Sequence, residues 1–175
     1  GAIIFSTLIA GNFTNKFIIF LFIITILFTT IGFYDDYLKL TRHKNGLSGK
    51  KKILGQLVIT ALTFAFIYKY GIINKTLDFS IVNPLIKGSF IYITPALFFV
   101  FMLFVIIGSS NAVNLTDGLD GLVSGPIIVV SVTLLIITYL TGHYEYAKYL
   151  NLYHVRESAE ITVYLAAVIG ALIGF

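Results

Sequence analysis

Cysteine is absent from this sequence, and charge is scarce. Without cysteine there are no disulfides, no thiolate metal ligands and no cysteine nucleophile. Asp, Glu, Lys and Arg make up 11% of the 175 residues, against 58% hydrophobic. A soluble domain carries about a quarter charged residues, so this chain cannot cover a water-facing surface with polar side chains. The mean hydropathy of +0.95 points the same way. No secretory signal is expected within residues 1–11, GAIIFSTLIAG, which lack a basic stretch and open on glycine rather than methionine. The composition is that of a polytopic membrane protein.

What the chain does have is a series of apolar runs. About 20 apolar residues cross the hydrocarbon core as a helix. Residues 1–11 read as the remainder of one span, and 16–34, 53–71, 92–110 and 121–140 as four more, while 161–175 begins another and is cut short. Backbone hydrogen bonds must close internally in lipid, and helices achieve this. The expected class is therefore all-α, with five transmembrane helices plus a truncated sixth. Both ends fall inside apolar segments, so residues 1–175 read as one membrane-embedded domain truncated at both ends.

The connections set an orientation. Residues 35–52, DDYLKLTRHKNGLSGKKK, hold six of the twelve Lys and Arg, and the positive-inside rule places this loop in the cytoplasm. Alternation then puts 109–120 on the same side and 72–91 and 141–160 outside. Polar and apolar residues alternate over TLDFSIV and GSFIYIT, with Asn83-Pro84 and Lys87-Gly88 between them. That pattern predicts a short external β-hairpin. The net charge of +4 follows from topology and gives no indication of nucleic-acid binding.

Four of the five aspartates lie in the two inner connections: Asp35, Asp36, Asp117 and Asp120. Acids near the apolar zone are costly, and adjacent acids repel each other. Asp35 and Asp36 could be a solvated helix end, but a helix C-terminus disfavours negative charge. The functional alternative is a carboxylate pair that handles a proton or helps to hold Mg²⁺, which is commonly bound through one or two carboxylates plus substrate phosphates. For Asn111, Asn114, Asp117 and Asp120 the plain reading is turn and cap chemistry, with Asp117-Gly118 and Asp120-Gly121 as turn dipeptides. It leaves the two asparagines unexplained. Three residues apart on a helix, they share a face and can point at one site.

The lysines admit two readings as well. Lys50, Lys51 and Lys52 serve topology by default, and one of them can also bind phosphate. Lys39 follows Asp35 by four residues, the spacing of an ordinary helical ion pair. His43 reads as solvated, and His143 and His154 fall on the outer side, remote from the acids. Acids, amides and lysines on one membrane face fit phosphoryl transfer, which is positioning plus charge neutralisation. A transporter using the acids as an ion path is the alternative. Such a path places some of its acids near the midplane, and here they sit at one face.

GFYDDYLKLTRHKNGLSGKKKILGQ (32–56) and GSSNAVNLTDGLDGL (108–122) closely resemble two signature regions of the phospho-N-acetylmuramoyl-pentapeptide transferases. This is the bacterial translocase I family, within the polyprenyl-phosphate N-acetylhexosamine-1-phosphate transferase superfamily. The resemblance implies a ten-helix fold of which this chain is about the second to seventh helices, in a bacterial cytoplasmic membrane, with a possible homodimer. It implies transfer of phospho-MurNAc-pentapeptide from UDP-MurNAc-pentapeptide to undecaprenyl phosphate, giving lipid I and UMP, with Mg²⁺ as cofactor. By the same resemblance Asp35, Asp36 and Asp117 are catalytic. Lys39, Lys50, Asn111, Asn114, Asp117 and Asp120 bind substrate.

Asp35 and Asp36 are also the metal candidates within the chain, although the main ligand of the family is expected beyond Phe175. For that reason the 175-residue chain is expected to be inactive by itself, and transferase activity from the purified chain would contradict this. A sister transferase using UDP-GlcNAc or another UDP-sugar is the nearest alternative reading.

Overall fold

The structure is a computed structural model that describes residues 1–42, 46–74, 79–83, 86, 89–116 and 121–174. Helices dominate: α1 (Ala2–Ala10), α2 (Lys16–Arg42), α3 (Gly49–Asn74), α4 (Pro95–Thr116), α5 (Ser124–Gly142), α6 (Tyr144–Tyr149) and α7 (Ile161–Ile173). Two strands, β1 (Ser80–Val82) and β2 (Phe90–Tyr92), separate α3 from α4. Among the described residues four helices, α2 to α5, are long and apolar enough to cross a membrane. The expected fifth span, 1–11, forms only the nine-residue α1, and 161–175 gives the thirteen-residue α7. The all-α membrane class expected from composition stands.

Burial runs opposite to a soluble protein. Thr7, Asn15, Gln56, Thr60, Thr63 and Ser131 are buried, whereas Phe33, Phe104 and Val129 are exposed. Lipid is as apolar as leucine, so membrane helices associate through small and polar residues that pack closely or bond. Buried threonines meet their own need for a partner locally. Thr60 and Thr63 donate to the carbonyls of Gln56 and Ile59, one turn back, at 2.8 Å each.

The chain forms two compact units. The first comprises Gly1–Leu27 and Leu115–Phe175. In it α7 packs on both α5 and α1. The Thr25 hydroxyl lies 2.6 Å from Tyr164 Oη and ties α2 to α7. Asn15 caps α2: its Oδ1 accepts from the Phe17 N–H at 2.8 Å, while its Nδ2 donates to the Glu157 carbonyl at 2.9 Å. Ser158 donates to the Thr138 carbonyl, so the 141–160 connection folds back on the end of α5.

The second unit, Phe28–Asn114, carries the rest of α2, α3, the strands and α4. β1 and β2 pair antiparallel, with Ser80 opposite Tyr92, Ile81 opposite Ile91 and Val82 opposite Phe90. The hairpin predicted from alternation is therefore present; its Pro84 and Lys87-Gly88 lie outside the described residues. Phe79, just before β1, stacks 5.8 Å from Tyr68 of α3 and 5.5 Å from Phe98 of α4, and so anchors the hairpin to both helices. Because β2 takes residues up to Tyr92, α4 starts later than the apolar run does. Thr94 precedes it and Pro95 fills its first position, where a missing N–H costs nothing. The Leu97 N–H reaches Thr94 Oγ1 at 3.3 Å.

Candidate active site

All of the candidate side chains that the structure describes belong to the second unit. Asp35 and Asp36 do not end α2, which continues to Arg42. Its 27 residues span about 40 Å at 1.5 Å per residue, beyond the roughly 30 Å of hydrocarbon. The continuation is supported by Lys39. Its Nζ lies 2.8 Å from Asp35 Oδ2 and 3.0 Å from Asp36 Oδ1, an i,i+4 and an i,i+3 pair on one helix face.

The two acids then part company. Asp35 is buried at 6% exposure. Its Oδ1 accepts the Leu47 N–H at 2.7 Å, and its Oδ2 also faces Lys52 Nζ at 3.9 Å. One carboxylate thus joins α2, the α2–α3 connection and α3. Gly46 makes that connection possible. It has φ +71, and a Cβ there would stand 2.5 Å from Asp35 Oδ1, so the left-handed backbone and the lack of a side chain are both required. Asp36 has a side chain 72% exposed and, among the described residues, meets Lys39. Among the described residues its Oδ2 has no partner.

On α3, Lys50 is exposed in the first turn and forms no ion pair among the described residues. The lysine that reaches Asp35 is Lys52. One turn further along α3 is Gln56, 1% exposed. Its Nε2 donates to Ser110 Oγ at 3.0 Å, and its Oε1 accepts from Asn111 Nδ2 at 2.8 Å. Asn111 Nδ2 donates as well to the Ile107 carbonyl at 2.8 Å. A polar seam thus runs from α2 through α3 to α4 inside one unit. Asn114 follows Asn111 by one helical step and is exposed near the end of α4. Asp117 and Asp120 lie outside the described residues, as does His43.

Sequence reasoning had named Asp35, Asp36, Lys39, Lys50, Asn111, Asn114, Asp117 and Asp120; it left Lys52 as one of three lysines that serve topology or bind phosphate, and it passed over Gln56 and Ser110. The available signal for Gln56 was one amide inside ILGQLVITALTF, because a membrane helix keeps such a group only when it is bonded.

Comparison with known proteins gives the family. The model of glycosyl transferase family 4 matches residues 18–175. The chain belongs to this family. Curated relatives named phospho-N-acetylmuramoyl-pentapeptide-transferase include one from Fusobacterium nucleatum, 41% identical over 175 residues, covering 99% of this chain and 48% of that protein. One from Endomicrobium trichonymphae is 42% identical over 177 residues, again covering 99% of this chain and 48% of the relative. The Aquifex aeolicus protein is 39% identical over 170 residues, with 97% and 46% covered. The chain spans about half the length of the curated relatives it matches. In this member of the family a buried acid, two lysines and two amides lie on three membrane-length helices, α2, α3 and α4.

For Mg²⁺ the donor set fits in part. No group of three or more acids or histidines that could hold a metal occurs among the described residues. Asp35 has both oxygens engaged. Asp36 has one carboxylate oxygen without a partner among the described residues, the kind of single protein ligand that Mg²⁺ combines with substrate phosphates.

Proposed function

We propose that the protein of which this chain forms part transfers phospho-MurNAc-pentapeptide from UDP to undecaprenyl phosphate. It makes lipid I and UMP at the cytoplasmic face of a bacterial membrane. The observation that carries the reading is the unequal acid pair: Asp35 committed to Leu47, Lys39 and Lys52, and Asp36 exposed beside the same lysine. The relatives' name supports the substrate assignment.

In the reaction an oxygen of the lipid phosphate attacks the phosphorus bonded to the sugar. The new P–O bond forms as the bridging P–O bond to UMP breaks, and UMP leaves with the electron pair. One diphosphate linkage replaces another, so positioning and charge neutralisation are what the protein must supply. Asp36 is the acid free to take a proton from the lipid phosphate or to turn toward a metal. Asp35 keeps Lys39 and the α2–α3 connection in place. Lys39 and Lys50 neutralise phosphate. Asn111, Asn114, Asp117 and Asp120 hold the nucleotide end. Mg²⁺, when bound, would offset charge on the diphosphate, and among the described residues Asp36 would hold it.

The test is UMP release by the full-length protein in detergent, with undecaprenyl phosphate, Mg²⁺ and either UDP-MurNAc-pentapeptide or UDP-GlcNAc. Release with the muramoyl substrate alone, lost in Asp36→Asn and Asp117→Asn, is the expected result. Release with UDP-GlcNAc instead moves the protein to a sister transferase. No release with either, from folded protein, favours transport.

A further inference from the structure

Gln56 has no part in the chemistry above, yet it is the most completely enclosed polar side chain of the seam, at 1% exposure. Burying an amide away from water is costly unless its ends are bonded. Both ends of this one go to α4. A single backbone group fixes the direction of every bond. The Ile107 carbonyl can only accept, so the Asn111 atom 2.8 Å from it is Nδ2. The same Nδ2 lies 2.8 Å from Gln56, which must therefore present Oε1. Nε2 is then turned toward Ser110 Oγ, 3.0 Å away. With both amide hydrogens of Asn111 engaged, its remaining polar atom is Oδ1. Among the described residues no donor reaches Oδ1.

We propose that Gln56 is a positioning residue: it locks the Asn111 carboxamide so that Oδ1 is offered, as an acceptor only, to an N–H or O–H donor on the nucleotide end of the substrate. The inference rests on the functional reading above, in which Asn111 meets that end. Uridine carries such donors, an imide N–H on the base and hydroxyls on the ribose. The Ile107 carbonyl holds one amide hydrogen of Asn111 and Gln56 the other; with one restraint the amide turns over more readily and presents its own N–H, and with both it loses less freedom on binding.

The test is a double-mutant cycle on UMP release by the full-length protein in detergent, with kcat and KM measured for UDP-MurNAc-pentapeptide at saturating lipid. Gln56→Leu is expected to raise KM about tenfold and to leave kcat within about threefold. Asn111→Ala raises KM by a similar factor, and adding Gln56→Leu to it changes KM no further. Gln56→Glu still accepts from Asn111 and takes a hydrogen bond from the Ser110 hydroxyl, so its KM stays within about threefold of the unsubstituted value. A packing role predicts the opposite order, with apolar leucine tolerated and a buried carboxylate not. If Gln56→Leu does not fold, Gln56→Met takes its place in the cycle. Equal losses from the Gln56 substitution with and without Asn111 overturn the inference alone. No UMP release by the unsubstituted protein from any UDP-sugar overturns the functional reading and the inference with it.

Discussion

A carboxylate with two hydrogen-bond donors and a second lysine nearby, and a carboxylate that meets one exposed lysine among the described residues, respond differently to deletion. Removing Asp35 takes the hydrogen-bond acceptor from the part-buried Leu47 N–H and the ion-pair partner from Lys52. Leaving a part-buried donor unsatisfied costs about 1–3 kcal/mol, so Asp35→Ala is expected to unfold at a lower temperature in detergent. Asp36→Ala removes an exposed contact to Lys39, worth less than about 1 kcal/mol. It should keep its unfolding midpoint and lose UMP release. Equal destabilisation by both substitutions would remove the division of labour between the acids. The acid pair and the Lys39 spacing were legible in the sequence, because i,i+3 and i,i+4 neighbours meet on any helix. Which acid is buried was not. Successive residues point about 100° apart on a helix, and only packing against α3 decides which of them faces inward. The same applies to KKK at 50–52: Lys52 shares a face with Gln56, four residues on, and it reaches Asp35 where Lys50 does not.

Among the elements, the α2–α3 connection depends most on a single residue. Gly46 adopts φ +71 with Asp35 and Lys39 packed against it. Gly46→Ala forces a left-handed alanine, costing about 1–2 kcal/mol, and pushes its Cβ against the Asp35 carboxylate. Gly49, the first residue of α3, has nothing within 4 Å of a Cβ. Gly49→Ala should be neutral or stabilise by up to about 1 kcal/mol, by restricting the unfolded chain. Unfolding midpoints of opposite sign at two glycines three residues apart check this; equal effects would mean that Gly46 is not held as described. Hydropathy located the spans but not their ends. It stopped the second span at Tyr34, where apolar residues run out, whereas helical geometry persists to Arg42 through paired charges. The hairpin was legible because a period of two is a local signal. Its seating on α3 and α4 through Phe79 is a contact between distant parts of the chain, which no local pattern encodes.

For the whole molecule, sidedness is the property that composition predicts most directly and geometry reports least. Twelve basic residues, six of them in 35–52, are expected by the positive-inside rule to orient the chain, and apolar side chains such as Phe33, Phe104 and Val129 are exposed. The polar interior followed from the same reasoning only in part. The sequence shows that few polar residues exist within the spans, and the pairing of Gln56 with Asn111 shows where two of them meet. The native absence of cysteine makes the orientation measurable with single thiols. Ser48 is exposed in the basic connection and Ile86 is 60% exposed between the strands. Ser48→Cys should react with a membrane-impermeant maleimide only after the membrane is permeabilised, and Ile86→Cys should react in intact cells once any outer membrane is made leaky. The opposite pattern would put the acids and lysines outside, where a substrate carried by a cytosolic nucleotide does not reach them. Labelling of both from one side would mean that α3 does not cross the membrane, since the two positions flank it in the chain.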